Sequence, residues 1–336
     1  MSSSRSSAIV RTSLVAYVVK AYGVVLGLFL FGVLADAGLV SASMLASAGL
    51  VVSVPIALVG ARVLVHRKQV RATHLVERSV LAGVNGRKTL GLVVAVVVGW
   101  CSAAVLLLDV PGWTSAEWLT VILAIPAFWL AGLAVDRSLA RQFQQPKLEV
   151  VSSWARVIGA TALVVVLALL VFAFAHPGRG VAGAEYLAAL SRARNGLVES
   201  PSALVGDVAS IGSQVAAIRE HLSATAARGA FGFLAYVVFA VQAAIVAVGV
   251  AGLFEFCRLP ARDFRRVFEP VAGCRSDAPR DTVPPVPVPV RGREVAIVLA
   301  AYMILLALTL VIDRLYAEHA SLQVPVRTVV GWLDRW

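Results

Sequence analysis

Runs of roughly twenty predominantly apolar residues recur along this chain, about seven in all, and nothing else in the sequence limits its fold as strongly. Stretches of that length with almost no charge mark transmembrane helices, whereas the helices of a soluble protein carry only an apolar stripe. The composition agrees. Hydrophobic residues make up 59%, charged residues 15%, and mean hydropathy is +0.85, which overrides the two soluble domains that 336 residues would otherwise suggest.

The runs predict spans at about 14–35, 40–65, 89–108, 118–135, 157–175, 229–254 and 294–313. The expected fold is an all-α polytopic membrane protein with about seven transmembrane helices. Ala35-Asp36-Ala37 resembles a signal-peptidase site, but the preceding apolar stretch is too long for a signal h-region. Lys20 lies about two turns inside the first span, from where its stem can snorkel to the interface.

Lys and Arg are distributed unevenly, and this predicts orientation. The N-terminus (1–13) and the loops after the second, fourth and sixth spans hold twenty-one of the thirty. The links after the first and third spans hold none. Cytoplasmic loops carry the positive excess, so the N-terminus is expected in the cytoplasm and residues 177–228 and the tail at 314–336 outside the plasma (inner) membrane. The same rule explains the net charge of +11 without nucleic acid. Basic clusters such as Arg67, Lys68 and Arg71, or Arg262, Arg265 and Arg266, suit anionic lipid headgroups or a partner protein.

Two kinds of pattern lie within the spans. Small residues recur every four positions at Gly49, Ser53, Ala57 and Ala61, and again at Gly91, Ala95, Gly99 and Ala103. Such ladders let helix backbones approach closely, so the second and third spans are expected to pack together. Pro55 and Pro126 fall mid-span in two loosely similar hairpins, where a proline-broken helix can mark a pore or transport site.

Residues 177–228 are the longest segment between spans and are not strongly apolar. There Leu204, Val208, Ile211, Val215, Ile218 and Leu222 alternate spacings of four and three, as in a coiled-coil seam. Residues 183–198 can form a preceding helix, and Glu199-Ser200-Pro201-Ser202 a turn. The reading is an extracytoplasmic helical hairpin between the fifth and sixth helices. Its ladder packs either on the first helix of the same chain or against copies or partners in an oligomer. The cytoplasmic loop at 255–293 is the most basic, and Pro284–Val290 within it must be extended polyproline II. Val326, Val329, Val330 and Leu333, with Trp332 and Trp336, suggest an interfacial helix in the tail.

Catalytic chemistry is not indicated. The sequence holds no HExxH pair and no GxSxG elbow, and its five histidines are scattered. Gly83–Thr89 lacks the spacing of a phosphate loop, and Cys101, Cys257 and Cys274 form no CxxC pair. No metal or cofactor is expected. Every Asp, Glu and His falls at a span end or in a loop, and Glu255 is expected to pair with Arg258 across one helical turn. Two functions remain: a non-catalytic subunit of a membrane assembly that docks or senses through the outer hairpin, or a permease or channel subunit with its site near Pro55 and Pro126.

Overall fold

The computed structural model describes residues 14–37, 39–72, 89–113, 115–140, 147–175, 231–259, 264, 267–268 and 292–318. Among these, seven long α-helices occur and no strand. They are α1 (Leu14–Asp36), α2 (Ala42–Ala72), α3 (Thr89–Asp109), α4 (Ser115–Ala140), α5 (Lys147–Ala175), α6 (Phe231–Arg258) and α7 (Gly292–Glu318). Spans on α1–α4 and α7 are long and apolar enough to cross a membrane, and the protein is membrane-embedded. Large side chains such as Val15, Val51, Leu90, Leu130 and Met303 project outward, as a hydrocarbon solvent permits.

Several helices outrun the apolar spans read from the sequence, and four of these extensions lie at one end of the bundle. α2 continues to Ala72, α4 to Ala140 and α6 to Arg258, while α5 already begins at Lys147. A helix satisfies its backbone internally, so it can run on through the interface after the apolar sequence ends. That end, where the basic connections lie, is called the basic end below. Residues 136 and 156, which hydropathy assigns to one loop, are therefore helical.

At the opposite end the links are short. Ser41 caps α2, its Oγ accepting from the Met44 N–H at 3.3 Å. A 3₁₀ turn, Val110–Gly112, joins α3 towards α4, and Trp113 Nε1 donates to Asp109 Oδ2 at 2.8 Å.

The two small-residue ladders meet as expected. A Cβ added to Gly99 would stand 2.8 Å from Ala57 Cβ and 2.9 Å from the Ser53 carbonyl oxygen, so the backbones of α2 and α3 touch there. Proline does not interrupt either helix that contains it. α2 runs through Pro55 and α4 through Pro126.

The largest core cluster draws on α1 to α6. α1 buries a single stripe, Tyr17, Ala21, Val25 and Leu28, at spacings of four, four and three. Tyr17 stacks on Phe128, lies 4.9 Å from the Trp129 ring, and donates its hydroxyl proton to the Ile125 carbonyl at 2.9 Å. Phe254 of α6 meets Phe128 edge-on at 5.9 Å. α7 packs on α2 and α3 through Val298 and Tyr302 and leaves most of its surface outward.

Candidate functional site

Four ionisable side chains converge inside the basic end of α4, α5 and α6, although each is costly to place in a membrane helix. Asp136 comes from the last turns of α4, Arg156 from the third turn of α5, and Glu255 and Arg258 from the end of α6. Glu255 is wholly buried, and the other three are less than a tenth exposed.

Helical periodicity explains how they share one interior. On α4, Trp129, Gly132 and Asp136 follow at spacings of three and four. On α6, Ala251, Glu255 and Arg258 do the same in reverse order. On α5, Arg156, Ala160 and Val164 are buried four apart.

The charges alternate in space. The Arg156 guanidinium donates from Nε to Glu255 Oε1 at 3.0 Å and to Oε2 at 3.2 Å, and from Nη2 to Oε1 at 2.8 Å. Its third nitrogen, Nη1, donates to Asp136 Oδ1 at 2.6 Å. The other Asp136 oxygen accepts from Arg258 Nη2 at 2.5 Å. Arg258 also lies over the Trp129 ring, 5.6 Å from its centroid. A Cβ at position 132 would overlap Arg258 Nη1, so glycine there makes the room the guanidinium occupies.

Two acids and two arginines give a formally neutral lattice, and the planar fork of Arg156 is what lets one cation serve two carboxylates. Its chemistry is that of a clamp across three helices.

The expected i,i+3 pair is thus corrected. Glu255 takes its bonds from Arg156 on another helix, and Arg258 turns to Asp136. Sequence reasoning missed Asp136 and Arg156 because both sit beyond the apolar spans. A signal was nevertheless present: Asp136 and Glu255 are acids near helix C-termini, where the macrodipole disfavours them by about 0.3–1 kcal/mol. An acid in that position calls for a cationic partner.

At the other end the same three helices, with the end of α3 and the link after it, surround a cleft of about 50 Å³. Asp109, Trp113, Glu117 and Thr120 line one side, and the small or branched residues Val164, Ala168, Ala247 and Val250 line the other. Between cleft and lattice lies an apolar layer that includes Ile125, Phe128, Ala160 and Phe254. It is thin: Val250 and Glu255 are five residues apart on α6, about 7.5 Å along the axis.

The residues singled out in the sequence are scattered relative to these features. Pro126 is exposed on α4 and Pro55 half-buried on α2, and neither lines the cleft. Arg67 is exposed and Lys68 half-buried on the last turns of α2, and Arg71 belongs to the same helix. The ladder Leu204, Val208, Ile211, Val215, Ile218 and Leu222, like Arg262, Arg265 and Arg266, lies outside the described residues. Among the described residues no group of three or more His, Cys, Asp or Glu side chains is arranged to hold a metal ion.

No family model matches the chain, and neither a curated protein nor a solved structure matches it.

Proposed function

We propose that this chain is a non-catalytic integral subunit of a membrane protein assembly. On this reading it crosses the plasma (inner) membrane seven times with its N-terminus in the cytoplasm. Residues 177–228 form the extracytoplasmic hairpin that docks or senses, and the basic end faces anionic lipid. The observation that carries the proposal is the ion lattice. α5 and α6 are the two helices that lead into and out of residues 176–230, and Arg156 with Glu255 binds them together inside the bundle. Both carboxylates accept from arginine and the cluster is neutral, which suits a fixed joint. A joined α5–α6 pair is a stiff base from which to present an outer segment.

Replacing Ile211 and Ile218 by Asp tests this. A complex isolated in mild detergent should fall apart while the chain remains inserted, and an intact complex would refute the docking role. Cysteines placed at Ser213 and at Lys88 should label from opposite sides of the membrane. Labelling from one side would refute the topology.

A second reading, a permease or channel subunit, is favoured by the cleft. Its two carboxylates would concentrate small cations at an opening on the outer side. The pathway would then lie among α4, α5 and α6, and only Pro126 of the two prolines would belong to one of its helices. Flux of small cations into vesicles holding the purified chain tests it, and an absence of flux across inorganic and organic cations would count against it.

A further inference from the structure

We propose that the half of α4 from Ser115 to Ile125 is a movable wall of the cleft, pivoting at Pro126 while the other half stays clamped by the ion lattice. The proposal deepens the permease reading and takes its purpose from it.

Pro126 divides the work of α4 cleanly. Every α4 residue on the cleft, Glu117, Thr120 and Val121, precedes it. Every α4 residue that serves the lattice, Trp129, Gly132 and Asp136, follows it. Proline has no N–H to give the Ile122 carbonyl, and its ring crowds that carbonyl, so the helix is weakest at this boundary. The ring itself is exposed, which leaves it room to move.

α5 and α6 form the facing wall. Both reach from cleft to lattice and contain no proline, so they give a continuous support. Between them and the first half of α4 lies the free volume of the cleft. Val121 is already buried against the small and branched side chains of that wall, so the movement available is outward, which would widen the cleft.

Pro55 provides the contrast. It too sits mid-helix, but Gly99 of α3 presses on the α2 backbone at Ser53 and Ala57, on either side of the proline. No space exists there for a swing. The outer half of α4 is held by side chains: Val121, Ala124 and Ile125 pack in the main core cluster, and Trp118 meets Phe29 of α1 edge-on at 5.3 Å and Trp113 at 4.8 Å. Tyr17, near the start of α1, bonds the Ile125 carbonyl and stacks on Phe128 and Trp129 of the clamped half, so only the end of α1 around Phe29 would follow the tip.

From Ser115 to Pro126 the arm is about 16 Å long at ~1.5 Å per residue. A change of about 20° at a proline kink moves its tip by about 6 Å.

The test uses the full chain in lipid nanodiscs, with Cys101, Cys257 and Cys274 replaced by Ser. Spin labels at Ser115→Cys and Val237→Cys report the cleft width, and labels at Ser138→Cys and Ile158→Cys report the clamped half. The cleft pair should show two distances about 6 Å apart, collapsing to one in Pro126→Ala, while the control pair shows one distance in both. A single distance across the cleft in the parent would overturn the proposal, as would two populations that Pro126→Ala leaves unchanged. Cation flux is measured on the same sample. Two distances without flux would sink the transport reading and leave the hinge standing, whereas flux with one fixed distance would do the reverse.

Discussion

Replacing Arg156 by Met should be among the most destabilising single changes in the described bundle, and its cost should depend on Glu255. Met keeps the length and apolar stem of the side chain but removes the guanidinium, so packing changes little. Glu255, wholly buried, then loses all three of the hydrogen bonds it accepts from Arg156. Asp136 keeps only its contact with Arg258. The neutral lattice becomes one with a net negative charge in a membrane helix bundle. Breaking a buried ion pair from one side costs about 3–5 kcal/mol, because the remaining charge is left desolvated and unpaired.

Removing both partners has a different consequence. In Arg156→Met with Glu255→Met, Asp136 and Arg258 survive as a neutral pair, and two apolar side chains fill the vacated space. Exchange of a buried ion pair for apolar groups of similar volume is typically neutral or stabilising by about 1–4 kcal/mol. The double variant should therefore be at least as stable as the parent, with a coupling energy of about 3 kcal/mol or more between the sites. Reversible unfolding by SDS titration in mixed micelles measures all four corners of the cycle. Additive losses, with the double variant worse than either single one, would mean that Arg156 acts through its hydrocarbon stem and that the ionic account is wrong.

Gly132→Ala should cost about 1–3 kcal/mol in the same titration, because the new methyl group pushes Arg258 off Asp136. Gly159→Ala on α5, where nothing stands within 4 Å of the added carbon, should be neutral or stabilising by up to about 1 kcal/mol. Gly99→Ala should cost about 1–3 kcal/mol, since it meets backbone atoms at 2.9 Å, while Gly91→Ala, 3.7 Å from a Leu64 methyl, should be tolerated. Phe254→Ala removes the ring between cleft and lattice and should cost about 3–5 kcal/mol by the same measurement, with water reaching Glu255 shown by faster amide exchange at its neighbours.

What the sequence disclosed and what it hid follow from the same physics. The contact of α2 with α3 was legible because a small residue every four positions has one structural use in lipid, and Gly99 against Ala57 realises it. The lattice was not legible from hydropathy, which averages over a window and reads Asp136 and Arg156 as the start and finish of a polar loop. In the structure only residues 141–146 separate α4 from α5. Arg62, Arg156 and Arg258 all count towards the basic side in a tally of loop charges, yet all three are buried on helices. Subtracting them leaves the basic excess on that side intact, so the expected orientation does not depend on them.

The position of the lattice is itself informative. A charge cluster in mid-membrane would have to be inserted against the full desolvation cost, whereas one just inside the interface can remain hydrated until the helices close over it. Once formed, it penalises every sliding of α5 past α4 or α6, because a shift of one residue would unpair charges already buried. Apolar packing of Val, Leu and Ala along these helices has no such discrimination, since one register of branched residues resembles the next. The lattice therefore contributes register more than net stability. That is also why the double replacement of Arg156 and Glu255, though expected to be stable, should loosen the alignment of α5 and α6. Labels on these two helices should then report a broader distribution of distances than in the parent. An unchanged narrow distribution would assign the register to the apolar core instead.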